Sequence, residues 1–236
     1  MLMEKLIGLT KISQGVLTFR LEGERALNGQ NLRKAVARLC PQYPQLAQRT
    51  LSGELIYRHP HVQFKMMDGA GIITALGNEA EILIEVFASI PQIYWKGRRL
   101  RIVEKKIEVQ DVLFGPTEKE FEYVFVSPWL ALNQENEKTF FDSVGRERRA
   151  LLNRILVGNI LSMAKGLGFF LVPNISATIS GRWSESPSFF KGIQMRGIRG
   201  RFKAFFEIPH LWGIGKSSSS GWGTIVRVSN GGSNVA

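Results

Sequence analysis

The alternation of strand and helix patterns between residues 6 and 114 constrains the fold of this chain more than any other feature. Periodicity and turn residues predict, in order, a strand over 6–21, a helix over 31–40, a hairpin of strands 57–66 and 71–76, a helix over 79–90 and a strand over 100–114. The Asp68-Gly69 pair marks the hairpin, and Asn31 and Asn78 are candidate helix caps. This βαββαβ order predicts a ferredoxin-like domain, with two helices on one face of an antiparallel sheet.

The second half of the chain repeats the skeleton of strand, helix and paired strands in a more irregular form. The predicted elements are a strand over 121–126, a helix over 145–165 and strands over 171–180 and 189–207. Gly115-Pro116 is expected to break the chain between the two halves. We therefore predict an α+β protein with tandem ferredoxin-like (RRM-like) domains, residues 1–116 and 117–236.

Charge and composition indicate a polyanionic partner. The formal net charge is +11, the sequence pI is about 10.0, and 44% of the residues are hydrophobic, which suits a folded core. The basic residues do not gather on one amphipathic helix, and no run reaches the ~18 apolar residues of a membrane span, so nucleic acid is favoured over a membrane. The single Cys40 excludes an intramolecular disulfide and a cysteine-cluster zinc site. Because the first residues lack a signal-peptide core, we expect a cytoplasmic protein.

A glycine-rich segment near the C-terminus, residues 213–223, has the composition of an anion-binding loop. Glycines permit close backbone approach, and successive N–H groups in such a loop can form a nest for an anion. Lys216 adds a positive charge, and Ser217 begins a run of hydroxyl donors. The spacing differs from that of nucleoside-triphosphate and dinucleotide loops, because a strand pattern follows instead of a helix pattern. The segment is predicted to bind a phosphate; an ordinary flexible Gly/Ser loop is the alternative.

Further cations lie on two elements that could follow a phosphate backbone. The predicted helix 31–40 carries basic residues on its surface, and the stretch 191–203 mixes cations with apolar and aromatic residues on a β-ribbon. With the glycine segment, the residues predicted to bind nucleic acid are Arg33, Lys34, Arg38, Arg49, Arg196, Arg199, Arg201, Lys203, Gly213, Gly215, Lys216, Ser217, Gly221 and Gly223. A solvated surface is the alternative for both elements, and a groove-reading DNA-binding ribbon is a further hypothesis.

Several motifs together resemble one family. Residues 213–223 resemble the C-terminal glycine-rich loop of the CRISPR-associated RNA-processing endoribonucleases, which belong to the repeat-associated mysterious protein superfamily. Residues 60–65 resemble the family's Pro-x-[VI]-Gln-[YF]-Lys strand, and residues 127–133 and 208–211 resemble segments of its second domain. The resemblance therefore covers both halves of the chain.

The resemblance implies a function as well as tandem ferredoxin-like domains. Family members cut precursor CRISPR repeat RNA without a metal or another cofactor: a ribose 2′-hydroxyl attacks the adjacent phosphate and leaves a cyclic phosphate. Such a reaction needs a base, an acid, and cations that stabilise the phosphorane. A non-catalytic RNA-binding subunit of a CRISPR effector complex is the alternative function. The expected oligomeric state is a monomer or a homodimer.

The chain departs from the family's pattern at the catalytic histidine. That histidine typically lies in or just after the first helix, and residues 32–49 contain none. We predict His59 or His61 as the base, with Tyr43 and Lys65 assisting, because alternate residues from 59 to 65 share one face of a strand. Structural roles for these histidines, slow cleavage by arginines with Tyr43, and RNA binding without cleavage stay open as alternatives. No metal ligands are predicted.

Overall fold

The computed structural model describes residues 4–6, 8–22, 27–171, 175–190 and 193–228. Its elements are β1 (Glu4–Leu6), β2 (Thr10–Leu21), α1 (Gly29–Leu39), β3 (Val62–Met67), β4 (Ala70–Leu76), α2 (Glu79–Ser89), β5 (Gln92–Trp95), β6 (Arg98–Phe125), α3 (Gln134–Asp142), α4 (Gly145–Gly166), β7 (Phe169–Leu171), β8 (Ala177–Phe190), β9 (Ile193–Glu207) and β10 (Ile225–Arg227). The ends of the predicted domains, 1–3 and 229–236, and the start of the predicted ribbon, 191–192, lie outside the described residues.

The first half of the chain forms the predicted ferredoxin-like domain. Its antiparallel sheet has the order β3-β4-β2-β6, and apolar residues of α1 and α2 share one core with it. The Asp68-Gly69 hairpin is confirmed, because φ angles of 50° and 77° fit a two-residue primed turn. The cap prediction is wrong for α1, and for α2 Asn78 occupies the N-cap position without the side-chain hydrogen bond. Asn28, not Asn31, caps α1 by accepting from the Asn31 amide at 2.9 Å.

The second half has the same strand order as the first, but its described residues lack the second helix of a ferredoxin-like domain. Its strands pair as β10-β6-β9-β8, and α4 shares their core. Residues 208–224, which contain the glycine segment, stand where a ferredoxin-like domain has its second helix. α3 is an additional helix that the sequence pattern did not predict. The predicted fold class, α+β with tandem ferredoxin-like domains, is confirmed.

β6 is a single strand of 28 residues that joins the strands of both domains in one eight-stranded sheet. Its first part pairs with β2, and its last part pairs with β9 and β10. The predicted chain break at Gly115-Pro116 is therefore wrong. Gly115, with a φ of 129°, and Pro116 are both in register with β9, and the register shifts only after them, between Pro116 and Phe121. The boundary predicted between residues 116 and 117 lies inside β6 and stays a prediction.

The two domains also meet along β3 and the residues that precede it. Gln63 contacts the glycine segment, His59 contacts Trp212, and His61 contacts Gly166 at the end of α4. The predicted polar strand face exists only in part, because Gln63 and Lys65 lie on β3 whereas His59 and His61 precede it. His59, His61 and Gln63 form a seam between the domains. This seam brings the glycine segment next to α1 and next to the irregular residues before β3.

Candidate functional site

A cleft of about 620 Å³ opens between the two domains beside the glycine segment. Arg33 on α1 and Ser219 in the glycine segment, which are 186 positions apart, meet on its wall. The residues that line this cleft, called here the loop cleft, include Arg33, Gln48, Tyr57, Arg58, His59, Asn159, Ser162 and residues 215–220. Both domains therefore contribute polar side chains to one concave surface.

Three cations on the loop cleft form no direct ion pair with a described carboxylate. Within the described part of the chain, no carboxylate oxygen lies within 4.0 Å of a charged nitrogen of Arg33, Arg58 or Lys216. Nη1 of Arg33 donates instead to Oε1 of Gln48 and to Oγ of Ser219, both at 2.9 Å. Burial lowers the pKa of the Arg33 guanidinium from its ordinary value, but an arginine keeps its charge near neutral pH. Cations that form no direct ion pair within the protein can bind a polyanionic ligand.

Internal packing accounts for the glycines of the segment. A Cβ built on Gly213, Gly215, Gly221 or Gly223 would lie less than 3.0 Å from another atom of the protein. At Gly215, for example, it would meet Oδ1 of Asn159 at 2.5 Å. The glycines are thus required by close backbone approach within the protein. The direct RNA contacts predicted for them stay predictions.

The turn formed by Lys216, Ser217 and Ser218 presents polar groups to the loop cleft. Ser217 has a left-handed backbone, with φ 62° and ψ 21°, which is uncommon for a residue that carries a side chain. Among the described residues, no acceptor is bound to the backbone amides of these three residues, and the buried Ser218 hydroxyl has no hydrogen-bond partner. Amides without an internal partner around a left-handed residue are the groups that form an anion nest.

His59 is buried against the second domain. Its Nε2 accepts a hydrogen bond from Nε1 of Trp212 at 3.0 Å and lies 3.3 Å from Nε2 of Gln63. Burial, together with the charges of His61 and Lys65, lowers the pKa of His59 to about 3. The ring is therefore neutral near pH 7, and its accepting nitrogen already has a donor. This geometry favours a structural role for His59 over the predicted role as base.

His61 joins two helices of different domains. Its Nε2 donates to the carbonyl oxygen of Gly166 at 2.7 Å, and its Nδ1 lies 2.9 Å from Oε2 of Glu79. Burial raises the pKa of the Glu79 carboxyl, but the hydrogen bond and charge of His61, a backbone hydrogen bond and the charge of Arg58 together outweigh it, so the net pKa is lowered. Glu79 begins α2 and Gly166 ends α4. With both ring nitrogens engaged inside the protein, His61 does not line the loop cleft.

Lys65 and Tyr43 also make their polar contacts inside the first domain. Lys65 is 1% exposed, and its Nζ donates to Oγ1 of Thr74 at 2.6 Å and to Oε1 of Gln63 at 3.2 Å. Burial lowers the pKa of this amine well below its ordinary value. The Tyr43 hydroxyl donates to the Glu85 carboxylate on α2. The four predicted catalytic residues therefore do not converge on one exposed site.

The described residues contain neither a metal-binding cluster nor a membrane-spanning helix. No group of three or more His, Cys, Asp or Glu side chains that could hold a metal ion occurs in the part of the chain that the structure describes. No helix within the described ranges is long and apolar enough to cross a membrane. Cys40 is a free, buried thiol.

Comparison with known families covers nearly the whole described chain. The Cas6b N-terminal domain model matches residues 11–112, and the Cas6b C-terminal domain model matches residues 115–228. The chain belongs to the Cas6b family. The resemblance noted in the sequence is thereby confirmed. Among curated proteins, the uncharacterized protein MJ0978 of Methanocaldococcus jannaschii is 34% identical over 144 residues, which make up 61% of this chain and 97% of that protein.

Solved structures agree with the Cas6b assignment. A crystal structure of Cas6b matches with a TM-score of 0.82 and 29% identity, covering 93% of this chain and 100% of that one. A second, of the CRISPR RNA processing endoribonuclease Cas6b, matches with a TM-score of 0.71 and 29% identity over the same shares of both chains. A RAMP protein binding different RNA substrates, at 10% identity and a TM-score of 0.53 over 92% of this chain and all of that one, shares the fold.

In this Cas6b family member, only one of the predicted cations on and near α1 lines the loop cleft. Arg33 lines the loop cleft, as described above. Lys34 and Arg38 are exposed on α1 and do not line it. Arg49 is also exposed, and its guanidinium donates to the carbonyl oxygen of Gly53. The RNA contacts of these last three residues stay predictions.

The predicted cations of β9 lie away from the loop cleft. Arg196 pairs with Glu185 at 3.2 Å, and Lys203 pairs with Glu120 at 2.8 Å, which raises the pKa of the lysine. A second cavity, of about 800 Å³, borders residues 220–222 and is also lined by Arg199 and Arg201. The ribbon is therefore a separate basic surface of the Cas6b fold, and its contact with RNA stays a prediction.

Two residues on the rim of the loop cleft, Tyr57 and Arg58, were not among the site residues predicted from the sequence. Tyr57 is 92% exposed, and Arg58 is exposed beside it. They were assigned to a strand, whereas β3 begins only at Val62, and residues 57–61 are irregular. A phenol next to a cation, directly before the family-like motif that starts at Pro60, was the signal that could have identified them.

Proposed function

We propose that this Cas6b family member binds precursor CRISPR repeat RNA in the loop cleft and cleaves it there by attack of a ribose 2′-hydroxyl on the adjacent phosphate. The observation that carries the proposal is the convergence of Arg33, Arg58 and Lys216 on one cleft beside a turn whose amides have no partner among the described residues. A scissile phosphate held there would accept charge-assisted hydrogen bonds. The Cas6b relative that is a CRISPR RNA processing endoribonuclease supports the substrate class and the endoribonuclease activity.

The proposed reaction balances without a further reactant. The 2′-oxygen loses its proton and bonds to phosphorus, while the bond from phosphorus to the 5′-oxygen breaks and that oxygen gains a proton. The products are a 2′,3′-cyclic phosphate and a free 5′-hydroxyl. Arg33, Arg58 and Lys216 would stabilise the charge that develops on the phosphorane. The Tyr57 phenol, on the rim of the cleft, is the group that we assign to one of the two proton transfers.

This proposal revises the roles predicted for four residues. His59, His61, Lys65 and Tyr43 each bond to groups inside the protein, and of these His59 alone borders the loop cleft. We therefore assign them to the structure that supports the cleft. Proton transfer by either histidine remains the competing hypothesis, which mutation can test.

A non-catalytic RNA-binding subunit of a CRISPR effector complex is the second candidate function. The position of His59 favours it, because this histidine borders the loop cleft while its Nε2 accepts from Trp212. Under this hypothesis the same cations hold RNA without a proton-transfer group beside the phosphate. Partner subunits, a monomeric or homodimeric state and a cytoplasmic location are further expectations of the proposed function.

A cleavage assay separates the two functions. The protein is mixed with the repeat RNA of its host in excess chelator, beside the same RNA with a 2′-deoxy nucleotide at the mapped cut site. Cleavage that survives the chelator, yields a cyclic phosphate and stops on the deoxy substrate supports the proposed reaction. Tight binding of the intact RNA with no cleavage overturns it and supports the second candidate.

A further inference from the structure

The Gln63 side chain makes a two-point contact with the backbone of the glycine segment. Its Oε1 accepts from the Gly213 amide at 2.7 Å, and its Nε2 donates to the Gly213 carbonyl oxygen at 2.9 Å. Gln63 is 0% exposed and lies on β3 of the first domain, 150 positions away in sequence. One buried amide therefore ties the first domain to the start of the segment that carries Lys216.

Neighbouring groups hold this amide in one orientation. Oε1 of Gln63 also accepts from Nζ of Lys65 at 3.2 Å, while its Nε2 lies 3.3 Å from Nε2 of His59. His59 in turn accepts from Trp212, the residue before Gly213. A flipped amide would set its NH₂ against two donors and its oxygen against the Gly213 carbonyl, so the network selects one orientation.

The contact acts on the base of the glycine segment. Gly213 forms a bridge with Thr224, and the Ile214 amide donates to the Gly223 carbonyl oxygen at 3.0 Å. A Cβ on Gly213 would come within 2.9 Å of Gln63 Oε1, so the close approach requires glycine at this position. Lys216 follows only three residues later. A shift of the Gly213 backbone would therefore also displace the turn at residues 216–218, which faces the loop cleft.

We propose that Gln63 is a positioning residue that holds the glycine segment in the conformation that binds an RNA phosphate. This inference rests on the proposed function for the identity of the ligand. Gln63 itself does not line the loop cleft, so it acts through Gly213 and Lys216. Loss of its two hydrogen bonds weakens RNA binding because the turn no longer presents Lys216 and its amides together.

The matched pair of variants is Gln63→Met and Gln14→Met. Gln14 is also a buried glutamine of the first domain, at 2% exposed, and its Nε2 donates to the His210 carbonyl oxygen of the second domain at 2.8 Å. Both changes remove a buried amide that bridges the domains, and Gln63→Met alone removes contacts to Gly213. We expect the larger loss in Tm for Gln63→Met, because it leaves more buried polar groups without a partner than Gln14→Met does. The Kd for repeat RNA is expected to rise about tenfold for Gln63→Met and less than about twofold for Gln14→Met.

A double-mutant cycle shows whether Gln63 acts through the turn. Lys216→Ala is expected to weaken RNA binding in the wild-type background and to have little further effect in Gln63→Met, because the lysine is already displaced. In single-turnover cleavage with excess enzyme, Gln63→Met should raise the enzyme concentration that gives half of the maximal rate. The maximal rate itself should change less. Additive losses in the cycle, or a Gln63→Met variant that differs from wild type in Tm alone, would overturn the proposal.

Hydrogen exchange tests the same inference without RNA. Peptides that cover residues 213–223 are expected to exchange faster in Gln63→Met than in wild type, and at the wild-type rate in Gln14→Met. Equal exchange in all three proteins overturns the positioning role. This measurement needs no RNA. If the wild-type protein fails to bind or cleave repeat RNA, the proposed function is overturned, but the exchange rates still show whether Gln63 positions the glycine segment.

Discussion

The indole nitrogen of Trp212 donates a hydrogen bond of 3.0 Å to Nε2 of His59, and this contact joins the two domains beside the glycine segment. The rings also pack at a centroid distance of 5.9 Å. His59 thus works as a buried acceptor at a domain seam. Its replacement should affect the stability of the fold before it affects chemistry in the loop cleft.

We expect His59→Ala to lower the free energy of unfolding by about 2–4 kcal/mol, because it leaves a cavity and a buried indole N–H without an acceptor. Chemical denaturation measures this loss, and His210→Ala, at an exposed histidine, is the control with little change. The folded fraction of His59→Ala should still cleave RNA. Lost cleavage in a variant of unchanged stability would instead restore His59 as the base, which was the expectation from the sequence.

The low pKa of His59 links stability to pH. The folded-state value of about 3 lies below the ordinary 6.5, so the unfolded chain binds more protons between these values. The free energy of unfolding is therefore complete above pH ~6.5 and falls as the pH decreases toward 3, by up to about 1.4 kcal/mol per pH unit from this residue. His59→Gln should remove this part of the slope, while any contribution of Lys65 and Glu79 remains. Parallel curves for the two proteins would contradict the assignment.

Tyr57→Phe tests the proposed proton transfer. We expect the single-turnover cleavage rate to fall by about 100-fold with little change in the Kd for RNA, since the substitution removes only the hydroxyl. Tyr43→Phe is the matched control, because the Tyr43 hydroxyl donates to Glu85 outside the loop cleft. Its cleavage rate should match wild type. The reverse pattern would support the sequence-based prediction for Tyr43.

Lys216→Ala should weaken RNA binding and reduce its dependence on salt. Loss of one phosphate contact lowers the slope of log Kd against log salt by about one, because one fewer counterion is released. Lys138→Ala, at an exposed lysine of α3 outside the loop cleft, is the control, and its slope should match that of the wild type. A salt titration in which Lys216→Ala superposes on wild type would remove the phosphate-binding role of the glycine segment.

The sequence predicted the elements whose signals are local. Asp68 and Gly69 supply the positive φ angles that a two-residue hairpin needs, and neighbouring residues suffice to indicate it. Gly115-Pro116 was misread for the opposite reason. Local propensity marks a break there, but pairing of β6 with strands on both sides carries the chain through.

The candidate site depended on contacts that no local pattern contains. Alternation predicted one polar strand face from residue 59 to 65, but His59 and His61 precede β3, and their partners, Trp212 and Gly166, lie 153 and 105 positions away. Only the folded chain shows that this face is a domain seam. Lys216, by contrast, lies in the loop cleft, where its glycine-rich context suggested a phosphate-binding role.

The most direct test of the central claim is a photo-crosslink from the cut site. Repeat RNA that carries 4-thiouridine next to the mapped cleavage position is irradiated with the wild-type protein, and the labelled peptides are identified by mass spectrometry. The expected labels fall in residues 55–60 and 215–220, which line the loop cleft. Labels confined to residues 193–203 of β9 would contradict the claim and place the scissile phosphate on the basic ribbon.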